Sequence, residues 1–300
     1  MSLYDVRSRY KNGDITKGEY IQNMYSYHSY LKDLQKLTFE NGITNLSVSV
    51  NETVATFAED NLKFLINVPD QRNAVFEVLN FGPYEAEDSD CIFKYLKGAK
   101  VFFDVGANLG WYSVKAALRH QEMKIFAFEP IPYLFNMLQR NCELNGVNNI
   151  ELMPFGLSDR SGEAEFYFSP SLSVAASMQN ISERSDVQKV NCYLKTLDSV
   201  ASELRVEVDF IKCDVEGAEK LVFDGGIETL RRSKPVIFCE LLRKWSAKFD
   251  YHPNVVFQML KNLGYQAFTY KNGHLDPIQE VRDDTVATNF LFLNASKHSW

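Results

Sequence analysis

Four acidic residues each come at the end of a short apolar segment that is typical of a buried strand: Asp104, Glu129, Asp214 and Glu240. Ligands in open α/β sheets bind beyond the carboxyl ends of the strands, so we expect these carboxylates along one edge of a sheet. Carboxylates suit a cationic group, an amino group, a ribose diol or a hard metal ion. The sequence therefore predicts an acidic ligand site at this edge.

A glycine turn follows the first of these strands. After Val101–Val105 the chain reads Gly106-Ala-Asn108-Leu-Gly110, and a helical pattern begins at Trp111. The glycines let the backbone approach a ligand, and asparagine tolerates a left-handed conformation. The free N–H groups of the first helical turn would face that ligand. Strand, turn and helix together predict a nucleotide-type pocket.

Glu129 strengthens this prediction. The second strand, Lys124–Phe128, ends at Glu129-Pro130, and Glu129 lies 19 residues after Gly110. This is close to the roughly 20-residue offset at which a carboxylate meets a ribose diol in doubly wound folds. Glycine turns after strands are common, so the turn alone would be weak support for a nucleoside site.

The turn does not suit a dinucleotide. Asn108 stands where the Gly-x-Gly-x-x-Gly motif has its second glycine, and its Cβ would crowd a diphosphate. The carboxylate of Asp104 would also lie beside the two negative charges of the diphosphate and repel them. These residues favour a cationic cofactor.

The segments Asp104-Val-Gly-Ala-Asn-Leu-Gly110, Glu129-Pro130 and Asp209-Phe-Ile-Lys-Cys-Asp-Val-Glu-Gly-Ala-Glu219 resemble the FkbM-type methyltransferases, which use S-adenosylmethionine. The resemblance runs from about Gly82 to about Leu293. It implies an α/β fold, namely a Rossmann-like methyltransferase sheet with helices on both faces and an antiparallel last strand beside its neighbour. The resemblance does not identify the methyl acceptor.

The resemblance also implies cofactor contacts. Gly156 and Leu157, which follow the third strand, would contact the adenine, and Tyr84 in the turn Gly82-Pro-Tyr84-Glu85 would approach the cofactor. A plain turn with Tyr84 packed inward is the alternative. The expected cofactor-binding set is Tyr84, Asp104, Gly106, Asn108, Gly110, Glu129, Pro130, Gly156, Leu157 and Asp214.

A hydroxyl acceptor must lose its proton as it attacks, so a base or a metal should lie beside it. Asp214, Glu216 and Glu240 are the candidate catalytic carboxylates, and His252 is the candidate imidazole. Asp214 or Glu216 could instead only cap the helix that begins near Ala218. We favour a base without metal, since no settled ligand spacing is present, and a divalent ion held by the carboxylates is the alternative.

Composition and charge limit the partners. The 300 residues are 45% apolar and carry a net charge of -7, and no basic run exceeds the pair Arg231-Arg232. Nucleic-acid enzymes usually present a basic face, so we expect a small-molecule or glycan acceptor and no nucleic acid. No apolar run reaches about 18 residues and the first nine residues are polar, so we expect no membrane span, no signal peptide and a cytoplasmic location.

The chain divides into three parts. Residues 1–42 read as a helical arm with a capping box at Thr16 and Glu19, residues 43–81 as a small β element, and residues 82–300 as the methyltransferase domain. We expect the arm to pack on the main domain or to form a homodimer contact. Residues 169–185 show no periodicity and are expected to form a surface loop that recognises the acceptor.

Three functions follow from these patterns. The first is transfer of a methyl group from S-adenosylmethionine to a hydroxyl of a sugar, glycan-type or secondary-metabolite acceptor. The second is an NAD-dependent oxidoreductase, which shares the strand, turn and diol carboxylate. The third is a catalytically inactive Rossmann-like binding module, because fold alone does not guarantee chemistry.

Overall fold

The computed structural model describes residues 1–180 and 185–300. Its strands are β1 (Ile43–Val48), β2 (Thr53–Phe57), β3 (Lys63–Leu65), β4 (Val101–Val105), β5 (Lys124–Phe128), β6 (Ile150–Met153), β7 (Gly156–Leu157), β8 (Gly162–Ser169), β9 (Leu172–Ser177), β10 (Gln188–Lys195), β11 (Phe210–Cys213), β12 (Val236–Glu240), β13 (Tyr265–Lys271), β14 (His274–Ile278) and β15 (Asn289–Asn294).

The helices are α1 (Leu3–Lys11), α2 (Lys17–His28), α3 (Tyr30–Glu40), α4 (Ala74–Phe81), α5 (Ala86–Leu96), α6 (Trp111–Arg119), α7 (Pro132–Asn145), α8 (Leu197–Leu204), α9 (Glu219–Asp224), α10 (Ile227–Ser233), α11 (Arg243–Ser246) and α12 (Asn254–Asn262). Two short 3₁₀ helices cover Glu59–Asn61 and Ala247–Phe249.

The main sheet has eight strands in the order β14-β13-β15-β12-β11-β4-β5-β6. Strands β6, β5, β4, β11 and β12 pair in parallel, and β15 lies antiparallel between β12 and β13. This confirms the expected Rossmann-like sheet. Strand β14 pairs antiparallel with β13 and forms one edge of the sheet.

Both faces of this sheet are covered, and the side chains of its central strands β4 and β11 are buried on both sides. Phe102 and Phe210 point into one hydrophobic cluster, whereas Phe103 and Ile211 point into the other. The first cluster includes side chains from α5, α6 and α7, and the second includes side chains from α8, α9, α10 and α12. Burial on both faces explains why these strands read as continuous apolar runs.

A second sheet, in the order β7-β10-β8-β9, replaces part of the predicted surface loop. Strand β9 pairs antiparallel with β8, so the prediction of an irregular segment was wrong there. Ser173 and Ser177 are buried because their hydroxyls donate to Asp70 and to the backbone oxygen of Glu216. Because these buried residues are polar, the segment lacks the alternation of apolar and polar residues by which a strand is recognised in sequence. The last part of the predicted loop includes residues 181–184, which lie outside the described residues.

The small antiparallel sheet β1-β2-β3 is attached to the main domain through α7. The side chain of Asn141 on α7 accepts the N–H of Leu65 at 2.9 Å and donates to the backbone oxygen of Leu109 at 2.8 Å. Asn141 is fully buried. One amide therefore links β3, α7 and the glycine turn.

Helices α1 to α3 form the N-terminal segment, and the capping box between Thr16 and Glu19 is present as predicted. Helices α2 and α3 lie wholly within the described residues and bury none of their side chains. Ile21 and Leu31, from the predicted apolar stripe, are 56% and 66% exposed. The main domain therefore leaves this stripe uncovered.

None of the described helices is long and apolar enough to cross a membrane. All five cysteines are described, buried and free of disulfides. Cys213 and Cys239 are small buried side chains of strands β11 and β12.

Candidate functional site

A cavity of about 580 Å³ lies at the carboxyl edge of strands β5, β4, β11 and β12. Its volume falls within the range of about 300–1,000 Å³ for small-molecule sites. The predicted residues that line it are Tyr84, Gly106, Asn108, Glu129, Pro130, Asp214, Glu216 and Glu240. The structure thus brings most of the predicted set around one space.

The glycine turn has the backbone that its residues predict. Asn108 has a left-handed φ of 51°, and its N–H donates to the carboxylate of Glu129 at 2.9 Å. Gly106 also has a positive φ, and a Cβ there would lie 1.9 Å from the backbone oxygen of Asp214. The end of β11 therefore lies so close that only a glycine fits at position 106, whether or not a ligand also approaches it.

Gly110 serves packing. Its φ is 87°, and a Cβ would lie 2.3 Å from a methyl group of Leu138 on α7. Gly110 does not line the cavity. Its lack of a side chain lets α7 pack against the start of α6.

Glu129 is 4% exposed, and both of its oxygens accept backbone hydrogen bonds at 2.9 Å, one from Asn108 and one from Ile131. Burial raises the pKa of Glu129 to about 7, although these two bonds act against the rise. A carboxylate has about four lone-pair sites, so two remain for a ligand. The turn therefore holds Glu129 with acceptor capacity facing the cavity.

The opposite side of the cavity carries three carboxylates. Asp214, Glu216 and Glu240 each offer an oxygen, and these oxygens all lie within 4.8 Å of one another. Burial raises the pKa of Glu216 and of Glu240, and the nearby charge of Asp214 raises both further. Glu216 also has a left-handed φ of 54°. Strained backbone of this kind is often found at functional sites.

A buried lysine lies below this cluster. Lys212, in the middle of β11, is 5% exposed, and its ammonium group donates to Asp214 at 3.1 Å and lies 3.8 Å from Asp104. Burial acts to lower the pKa of Lys212, but the charges of Asp214 and Asp104 raise it. Lys212 was not predicted as a site residue. A lysine inside an apolar strand was the available signal, because buried lysines need partners.

Residues 104–267 match the model of the methyltransferase FkbM domain. This match covers more than half of the chain. The chain belongs to the FkbM methyltransferase family.

Curated relatives agree with this family. The chain is 28% identical over 151 residues to methyltransferase sdnD of Sordaria araneosa, covering 41% of this chain and 58% of that one. It is also 28% identical over 148 residues to the 2-O-methyltransferase NoeI of Sinorhizobium fredii, covering 45% and 60%. The matches thus span less than two thirds of these relatives. Family membership favours methyl transfer over the oxidoreductase alternative.

Solved structures also match the chain. An FkbM methyltransferase from Methylobacillus flagellatus KT aligns with a TM-score of 0.41 and 12% identity, covering 76% of this chain and 56% of that one.

Within the FkbM domain, Asp104 lies beneath the cavity and does not line it. Asp104 is 1% exposed, and Ser113 on α6 donates a hydroxyl to it at 2.5 Å. Burial raises the pKa of Asp104, whereas Lys212 and Ser113 lower it. The structure therefore gives Asp104 contacts to α6 and β11, and a ligand in the cavity would meet Lys212 and Asp214 first.

Three other predicted residues do not line the FkbM-domain cavity. Gly156 and Leu157 are buried in β7, which pairs with β10, and Gly156 packs against Leu194 and Pro130. His252 is exposed and accepts the N–H of Asn254 at 3.2 Å. Helix α11 and a 3₁₀ helix separate it from Glu240, so its short distance in sequence did not place it in the site.

The second sheet closes one side of the cavity. Leu172, Ser173 and Ala176 of β9 line it, and the side chain of Asn108 donates to the backbone oxygen of Ser173 at 3.3 Å. The side chain of Asp70 holds Ser173 in this place. Leu172, Ser173 and Ala176 belong to the segment that we expected to recognise the acceptor, whereas Asp70 was not predicted, because its contact with Ser173 joins positions about a hundred residues apart.

We expect the substitution Lys212→Met to lower the free energy of unfolding by about 3–5 kcal/mol, because it leaves the buried carboxylate of Asp104 without its cation. Urea unfolding measures this loss. The loss should be larger at pH 8 than at pH 5, because Asp104, whose pKa is already raised by burial, takes up a proton at low pH and no longer needs a partner.

The double variant Lys212→Met/Asp104→Asn is the control. It removes the unpaired charge, so it should recover part of the lost stability. A single variant as stable as the unmodified protein at pH 8 would contradict a buried ion pair at this position.

Proposed function

We propose that this protein transfers the methyl group of S-adenosylmethionine to a hydroxyl of a small sugar, glycan-type or secondary-metabolite acceptor. One observation carries the proposal. In a chain of the FkbM methyltransferase family, Glu129 and the Asp214, Glu216 and Glu240 cluster lie on opposite sides of one cavity, with the Asn108 turn between them.

The donor set fits this cofactor. Glu129 retains acceptor capacity for a ribose diol, and Pro130 and Ile131 offer apolar contact beside it. The cavity is lined by six acidic residues and three basic ones, namely Glu77, Glu85, Glu129, Asp214, Glu216 and Glu240 against Arg72, Lys212 and Lys244. This excess of acidic groups favours a cationic molecule, which would stabilise their ionised forms. When bound, the sulfonium supplies an activated methyl group.

The protein's own residues would orient the acceptor and remove its proton. Orientation alone can supply about 7–11 kcal/mol of the barrier. Asp214 already accepts a hydrogen bond from the ammonium group of Lys212. Burial and the charge of Asp214 raise the pKa of Glu216, and they raise that of Glu240 to about 10, so either carboxylate is a stronger base than an ordinary one once it is ionised. We assign the base to one of these two and a positioning role to Asp214.

A divalent ion is the alternative that we do not favour. The three carboxylates are hard oxygen ligands at a suitable spacing. However, the ammonium group of Lys212 lies 3.1 Å from Asp214, and Lys244 also lines the cavity. The positive charges of these two lysines oppose the binding of a divalent metal ion. The chain can therefore be assayed with and without metal to separate the two mechanisms.

The acceptor side of the cavity favours a neutral polyhydroxylated molecule. Glu216 and Glu240 would repel a phosphate or carboxylate, whereas Trp245 offers an aromatic surface beside them. One relative of the family is named a 2-O-methyltransferase, which agrees with a hydroxyl acceptor. We therefore propose that the acceptor is an uncharged sugar or a comparable polyol.

Glu129→Ala should weaken the binding of S-adenosylhomocysteine by about ten- to a hundredfold, because charged hydrogen bonds contribute roughly 1.5–3 kcal/mol. Titration calorimetry measures this affinity. Glu122→Ala, at an exposed acid just before β5, is the matched control and should leave the affinity unchanged. Equal affinities for all three proteins would remove Glu129 from the site.

Methyl transfer is tested with S-adenosylmethionine carrying a radiolabelled methyl group and a panel of neutral sugars, phosphorylated sugars and hydroxylated metabolites. We expect label in a neutral hydroxylated acceptor, and we expect that EDTA leaves the rate unchanged. Failure of the protein to bind S-adenosylhomocysteine and to label any acceptor would favour the inactive binding module.

With the acceptor found, Glu216→Gln or Glu240→Gln should lower turnover by about a hundredfold or more, because general-base catalysis contributes roughly 10²–10⁴-fold. Glu228→Gln, an exposed acid on α10, is the control. Loss of activity with EDTA and its return with Mg²⁺ would instead make these residues metal ligands. Full turnover in both variants would exclude them from either role.

We also propose that helices α1 to α3 cover their exposed stripe through a homodimer contact and take no part in the chemistry. A chain that begins at Asn41 should have a lower mass in solution by light scattering and should bind S-adenosylhomocysteine as the full chain does. Unchanged mass together with lost binding would contradict this assignment.

A further inference from the structure

Glu85 is a cavity residue whose backbone is strained. It directly precedes helix α5 and has a left-handed conformation with φ 45° and ψ 50°. A residue with a side chain rarely adopts this conformation, because its Cβ crowds the backbone. Such strain persists only where the surroundings hold it, and it clusters at ligand sites. The turn therefore places the side chain of Glu85 at a cost in backbone energy.

The carboxylate of Glu85 is fixed by its neighbours. The hydroxyl of Tyr112 donates to it at 2.5 Å, and Tyr112 is itself buried on α6. The ammonium group of Lys212 lies 5.4 Å from the centre of the Tyr112 ring. Burial raises the pKa of Glu85, and the charge of Asp214 raises it further, whereas the Tyr112 bond and Lys212 lower it. A cationic ligand would stabilise this partly desolvated carboxylate.

The position of Glu85 along the sheet edge indicates which cationic group of the cofactor it would bind. Glu129 lies at the end of β5 and Asp214 at the end of β11, with β4 between them, so these two ends are separated by about two strand spacings of roughly 4.8 Å each. Glu85 accepts from Tyr112, and the ring of Tyr112 faces the ammonium group of Lys212, so Glu85 lies near β11. Methyl transfer at the Asp214, Glu216 and Glu240 cluster requires the cofactor to extend from a ribose at Glu129 toward β11, and Glu85 lies on that side.

We propose that Glu85 binds the α-ammonium group of the cofactor's amino-acid moiety. This inference rests on the proposed S-adenosylmethionine-dependent function and adds a subsite to it. The other carboxylates of the cavity are less suited. Asp214 already accepts from Lys212, and Glu216 and Glu240 lie together on the β11 and β12 side that we assign to the acceptor.

Two ligands separate this contact from general effects on the site. S-adenosylhomocysteine carries the amino-acid moiety, whereas 5′-methylthioadenosine keeps the adenosine and lacks the ammonium group. Glu85→Gln removes the negative charge but keeps an oxygen that can accept from Tyr112. Calorimetry should show that this variant binds S-adenosylhomocysteine at least about tenfold more weakly and binds 5′-methylthioadenosine as the unmodified protein does.

Asp88→Asn is the matched control. Asp88 lies on α5 three residues after Glu85, accepts from Asn289 at 2.8 Å, and does not line the cavity. Burial raises its pKa to about 7, so it shares the buried acidic character of Glu85. Asp88→Asn should leave both affinities unchanged. Glu129→Ala should weaken both ligands, because both carry the ribose.

Each other outcome overturns the inference in a recognisable way. Unchanged binding of S-adenosylhomocysteine by Glu85→Gln would show that the ammonium group binds elsewhere. An equal loss for both ligands would show that Glu85 only supports the fold of the site. If the unmodified protein bound neither ligand, the proposed function itself would fail, and the Glu85 subsite with it.

Discussion

The buried ion cluster of Lys212, Asp104 and Asp214 is the interaction on which the rest of the site depends. Lys212 on β11 lies beside Asp104 on β4, so the charges join the two central strands of the sheet. Ser113 adds α6 to the same group. A buried ammonium or carboxylate without a partner would be costly. The sheet can therefore hold an acidic cavity only because this lysine lies beneath it.

Carboxylates of the same chemical type differ around this cavity because their neighbours differ. Glu129 accepts two backbone N–H groups, Asp214 accepts an ammonium group, and Glu216 and Glu240 mainly face other acids. Hydrogen bonds and cations favour the charged form, whereas burial and like charges favour the neutral form. The cavity therefore has Glu129, a hydrogen-bond acceptor suited to a ribose, on one side. The candidate proton acceptors Glu216 and Glu240 lie on the other.

One wall of the cavity lies outside the region that matches the FkbM model. Residues 72–74 and 81–85, around α4 and the turn before α5, line it, although the match begins at residue 104. Strand β9 contributes another part and is held there by Asp70, also outside the match. These contacts join distant segments of the chain. Elements that precede the matched region therefore complete the cavity.

The sequence by itself determined the parts that depend on local pattern. The bounds of β4 and β5 agree with the prediction, because mostly apolar runs and clear turn residues mark them. The tertiary structure alone decided which charged groups meet. It paired Lys212 with Asp104 across two strands, left His252 exposed, and placed β9 over the cavity. Contacts between residues that are far apart in sequence depend on packing, and no local periodicity records them.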